Sequence, residues 1–92
     1  MEFTHSKFGK CELVELTQKQ MENYNTDMLH KSDLALAVYR GDQVRAAIKH
    51  GIMTEPKWTV EDVDNAKPGH IIWLSDCITK VLTEALNIDP LS

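Results

Sequence analysis

Four histidines and two cysteines are the side chains of this sequence best equipped for chemistry. Imidazole nitrogens and thiolates hold zinc, and a thiolate beside a base can act as a nucleophile. Both roles make demands on spacing. Zinc ligands come in short C-x-x-C or H-x-x-x-H pairs, and His5, His30, His50, His70, Cys11 and Cys77 form none. They read as surface histidines and buried reduced thiols, with no metal or other cofactor expected. Cys77, between Asp76 and Ile78 in a helical stretch, has no neighbouring base in the sequence and reads as structural. Glu61, Asp62 and Asp64 lie close together, but acids in a first helical turn answer to the helix dipole alone. No set of residues meets the geometric demands of a catalytic site, so the chain reads as non-enzymatic.

Two other constellations involve charge. Arg40, Arg45 and Lys49 form the best basic cluster, with Arg45 and Lys49 one helical turn apart. They could touch a nucleic acid, but without interleaved aromatic residues they read first as a solvated face. Arg40, Gly41 and Asp42 spell an adhesion tripeptide inside a predicted helix, where it has no exposed loop to act from.

The apolar residues say more. In "GHIIWLSD", residues 69–76, four apolar side chains stand in a row. At about 100° per residue, Ile71, Ile72, Trp73 and Leu74 point all the way round a helix, and a small domain covers only one face easily. Trp58 and Trp73 each have on the order of 200 Å² to bury, and tryptophan is enriched at binding hot spots. Another protein chain is the most economical cover for the excess, which makes Ile71, Ile72, Trp73, Leu74 and Trp58 the candidate partner-binding residues.

The elements that must position them follow from periodicity and caps. The 92 residues, 42% hydrophobic and 26% charged, describe one globular domain over 1–92. No run reaches the ~18 apolar residues of a membrane span, and the first ten residues lack a signal peptide's apolar stretch. A cytoplasmic protein is expected. Residues 1–58 carry eight acidic and eight basic side chains and residues 59–92 six and two, so the net charge of −4 sits in the last third. That side repels nucleic acid.

The fold class expected is mainly α: a short N-terminal β-hairpin around "SKFGK", three main helices and one short helical turn. Thr17 and Gln20 form a capping box for a first helix from Gln18 to about His30. Leu34, Ala37, Val38, Gly41, Val44, Ala47 and Ile48 keep one stripe, which predicts a single helix capped by Ser32 and closed at Gly51–Ile52 by a Schellman turn. Small Ala and Gly on this stripe would let another backbone come close. The connection that follows carries the short turn, capped by Thr59 and pinned by Val60 and Val63. Pro68 and Gly69 then open a last helix from about His70 to Leu86, with Ile71, Leu74, Ile78, Val81, Leu82 and Ala85 inward and Asn87, Ile88, Asp89 and Pro90 stopping it.

Read together, "ELVELT", "QKQMENY", "AAIKHGI", "WTVEDVDNAKPGHIIWLSDCI" and "EALNIDP" resemble the small tail assembly chaperones of long-tailed bacteriophages and prophages. Proteins of that family are mostly helical and non-enzymatic. They coat the hydrophobic tape measure protein while tail tube subunits assemble around it, and they are absent from the finished particle. The resemblance implies, as partners, the tape measure protein, the tube protein and further copies of the chain, in the cytoplasm of a host bacterium. It implies fold or interface roles for Trp58, Val63, Ile71, Trp73 and Leu74, and it brings no catalytic motif. Two other readings of the same residues are a nucleic-acid-binding regulator using Arg40, Arg45 and Lys49, and a structural joining protein of the particle.

Overall fold

The computed structural model describes residues 1–86. Two strands, β1 (Glu2–His5) and β2 (Gly9–Leu13), form the expected hairpin. Helix α1 (Gln18–Met28), a 3-10 turn (Lys31–Asp33) and helix α2 (Leu36–Lys49) follow. A third strand, β3 (Met53–Glu55), precedes the short helix α3 (Val60–Asn65) and the long helix α4 (Pro68–Ala85). None of the helices is long and apolar enough to cross a membrane.

The third strand corrects the expectation of a hairpin alone. It pairs antiparallel with β2, giving a sheet of order β1-β2-β3 in which Leu13 faces Met53 across an irregularity at Glu12/Leu13. The signal was weak because the strand is three residues long and stops at Pro56, which has no amide hydrogen to donate. Pairing also settles which face of β2 is inward. Cys11 and Leu13 are buried, with Phe3 of β1 opposite Cys11. They meet α4, where Leu74, Cys77, Ile78 and Val81 complete the core with Val44 and Ala47 of α2 and Ile52. The two thiols are neighbours here. Burial pushes Cys11 up to about 12, with Cys77 adding to the effect, so its thiol stays protonated at neutral pH.

The helix starts repay a residue-by-residue comparison. Gln20 N donates to Thr17 Oγ1 at 3.2 Å and Thr17 N donates to Gln20 Oε1 at 3.0 Å, the capping box read from the sequence. The same Gln20 side chain donates to the His50 carbonyl at 3.2 Å, joining the start of α1 to the end of α2. Asp62 accepts from Thr59 N at 2.7 Å to begin α3, of which Val63 is buried and Val60 exposed. Pro68 takes the first position of α4, where its missing amide costs nothing. Leu82 is half-buried and Ala85 exposed, so the inward stripe of α4 fades towards its end, and the stop at Asn87–Pro90 lies outside the described residues.

Two boundaries differ. Helix α1 stops at Met28 because His30 turns left-handed at φ 64° and leads into the 3-10 turn. Ser32 lies within that turn and caps nothing; Leu34 and Ala35 are extended, so α2 begins only at Leu36. The single long helix is therefore two pieces, and the inward stripe holds from Gly41 onward, with Leu34, Ala37 and Val38 exposed. The other end of α2 closes as expected. Gly51, at φ 69°, donates to Ile48 O at 3.2 Å, and Ile52 donates to Ala47 O at 2.8 Å while burying its side chain, which is a Schellman ending.

A Cβ at residue 51 would have open space, its nearest neighbour being the Gln20 amide nitrogen at 3.9 Å. Gly51→Ala should therefore cost about 1 kcal/mol from backbone conformation alone, read by urea unfolding, with Gly51→Asn costing less. Acid sensitivity has a source at the same end of α2. Asp27 accepts from His50 Nε2 at 2.6 Å, which holds its carboxyl below the usual value and favours the ionised form in the fold. That contribution is complete above about pH 4 and is lost as pH falls through the lowered value. Urea midpoints of Asp27→Asn should be flatter over this acid range than those of the parent.

Candidate functional site

The late start of α2 leaves a groove. Its first wall is Leu36, Ala37 and Gly41 of α2, its second Val63 and Ala66 at α3, and its third Pro68, Ile71 and Ile72 of α4, enclosing about 410 Å³. Gly41 has no side chain and Ala37 only a methyl, so the α2 wall is low where the helices would otherwise touch. Leu36 is 65% exposed and Ile72 46% exposed, so the mouth is apolar. Beyond Leu36 and Arg40, which border both, a second depression of about 470 Å³ continues between α1, α2 and α4, lined by Tyr24, Tyr39, Gln43 and Leu82. Along it α4 presents Ile72, Asp76, Thr79, Thr83 and Leu86, alternately four and three residues apart and all exposed. That spacing is one continuous helix face.

Two arginines strap the walls together. Arg45 of α2 donates to Asp42 Oδ1 at 2.9 Å and reaches over to Asp64 Oδ1 of α3 at 2.6 Å, and the bond to Asp64 chiefly raises its pKa. Arg40 Nη1 donates to Ser75 Oγ at 2.7 Å and to Asp76 Oδ1 at 2.8 Å, both on α4. Its Nε is buried without a hydrogen-bond partner among the described residues. Lys49 pairs with Asp27 at 3.5 Å. Every cation of the Arg40, Arg45 and Lys49 cluster thus already faces a carboxylate.

The five residues singled out by the sequence go to three places. Ile71 and Ile72 line the groove, Ile71 at its floor and Ile72 at its lip. Leu74 is 0% exposed and belongs to the core, leaving no side-chain surface for a partner. Trp73 points to the hairpin turn, with its ring 5.4 Å from His5 and 6.2 Å from Phe8. Trp58 sets its edge on His70 at 4.8 Å. Both tryptophans are half-buried in this aromatic cluster, on a different side of α4 from Ile72. Sequence reasoning missed Leu36, whose signal was its very position off the inward stripe of α2. The sequence had marked Ala37 and Gly41 as small residues where a backbone could approach. Among the described residues no three His, Cys, Asp or Glu side chains gather as metal ligands would.

The groove floor makes a measurable claim about Gly41. A Cβ there would meet only the far end of Arg45, with Nη1 at 3.0 Å, and a guanidinium can move aside. Gly41→Ala gains about 1 kcal/mol of helix propensity and gives up part of a half-exposed ion pair of about 0.5 kcal/mol. Urea unfolding should show a small net stabilisation, which would mark the glycine as unnecessary for folding and free to serve the groove. No protein-family model, curated protein or solved structure matches the chain.

Proposed function

We propose that this chain is a non-enzymatic tail assembly chaperone that binds helical segments of a tape measure protein, with tail tube subunits as further partners, in the cytoplasm of a host bacterium. One observation carries the reading: an open apolar groove between α2, α3 and α4, with Leu36 and Ile72 exposed at its mouth and the small residues Ala37 and Gly41 in its α2 wall. A helix laid there would bury its apolar stripe on Leu36, Ile71 and Ile72 and continue over the α4 face towards Leu86. Its polar flank would meet Arg40, Asp76, Thr79 and Thr83, which are already arranged along that path. Each contact is small, and many chaperones along one client would hold through avidity. The net charge of −4 favours keeping the free chain in solution while the groove is open.

A nucleic-acid regulator is less well supported, because binding phosphate would mean breaking the Arg40–Asp76, Arg45–Asp64 and Lys49–Asp27 pairs. A structural joining role would leave the chain in the finished particle, whereas a chaperone leaves it.

Co-expression with the tape measure protein of the same genome should yield a complex that co-purifies. Leu36→Glu and Ile72→Glu alter exposed side chains and should leave the urea midpoint nearly unchanged while abolishing the complex. Trp73→Ala, on another side of α4, should keep it so long as the variant is folded. A folded parent chain that ignores the tape measure protein would sink the assignment.

A further inference from the structure

The β1–β2 turn, Ser6–Phe8, rests on the first turn of α4 through stacked rings. Phe8 stacks on His70 with centroids 4.7 Å apart and planes 9° apart, and its tip lies 3.4 Å from where a Cβ of residue 69 would stand. His5 stacks on the other side of Phe8 at 4.7 Å and meets Trp73, while Trp58 closes the edge of His70. Two features of this cluster depend on protons. His5 Nδ1 accepts the backbone amides of Lys7 at 3.0 Å and Phe8 at 3.3 Å, which closes the turn. A proton on Nδ1 and those two bonds are mutually exclusive. His70 Nε2 is buried with no hydrogen-bond partner among the described residues.

We infer that His70 governs an acid-released latch: neutral, its stack on Phe8 holds the β1–β2 turn on α4, and protonated, it frees the turn and uncovers Trp58 and Trp73. The charges around the His5 and His70 rings carry both signs. Lys7 lies 5.6 Å from the Phe8 ring centroid, and His70 sits in the first turn of α4, at the positive end of the helix dipole. Lys57 and Lys67 flank the Trp58 and α4 sides in sequence. On the other flank of Trp73, Glu2, Asp76 and Lys80 border a separate depression. Glu2 pairs with Lys10, Asp76 with Arg40, and Asp62, beside Trp58, with the Thr59 amide. None of these carboxylates bonds an imidazole. Burial, then the proximity of His5, lowers the pKa of His70. An unfolded or released His70 therefore binds its proton more readily than a latched one. Closure is complete above the ordinary imidazole value of about 6.5 and is lost as pH falls through the lowered value.

Trp58 and Trp73 are the chain's two tryptophans, so all indole fluorescence reports on this cluster. Acrylamide quenching of the full chain should rise severalfold between about pH 7.5 and about pH 5, with the far-UV helix signal unchanged. His5→Asn keeps a side-chain acceptor for the turn amides and His70→Phe keeps the stack, so the double variant should stay protected throughout. Nuclear magnetic resonance of the unaltered chain gives a second reading, in which the His70 imidazole and the Lys7 and Phe8 amides shift with one midpoint. Unchanged quenching, a transition that survives in the double variant, helix loss in step with quenching, or separate midpoints would each overturn the latch.

Discussion

An apolar run that faces every direction of a helix must be covered from every direction, and the architecture around α4 follows from that demand. Residues 71–74 are answered by different elements. Leu74 enters the core beneath the sheet, Ile71 closes the floor between α2 and α3, and Trp73 takes the rings of the hairpin turn. Only Ile72 is left largely in water. The domain thus resolves three of four directions internally, and the fourth coincides with the groove beside the first turn of α2. At roughly 25 cal/mol for each Å² removed from water, covering that remaining lip would be modestly favourable.

The groove could have collapsed, since apolar walls attract one another. The straps explain why it persists. Arg45 spans to α3 and Arg40 to α4, and both guanidiniums are large, planar and committed at two points. Such partly exposed pairs contribute little stability each, about 0–1 kcal/mol, so their effect is geometric: they fix how far apart the walls stand. Lys31, which pairs with Asp42 at 3.0 Å, extends the same network to the 3-10 turn that delays α2.

Much of this was legible in the sequence, for identifiable reasons. The capping box at Thr17, the cap at Thr59, the proline that opens α4 and the glycine that ends α2 are local chemistry, and each stands where its side chain or backbone requires. The misreadings came from longer range. The stripe from Leu34 to Ile48 is continuous as a pattern, yet among the described residues no element covers its first turn, and periodicity does not reveal what lies opposite. The left-handed His30 that breaks the helix is a non-glycine residue with no sequence mark. Strand β3 depends on pairing with β2 rather than on its own three residues. Of the candidate site, Ile71 and Ile72 were legible as excess apolar surface, whereas the fate of Trp73 and Trp58 depended on where the hairpin lands.

The short edge strand also limits how copies of this chain can come together. A sheet grows by offering unpaired amides and carbonyls to a new strand, and here one edge is three residues ending at Pro56 while the other, β1, carries Glu2 paired to Lys10. Ribbon-like polymerisation through the sheet is thereby blocked at both borders. Contacts between copies of the chain are thereby directed away from the sheet borders and towards the helical side of the domain.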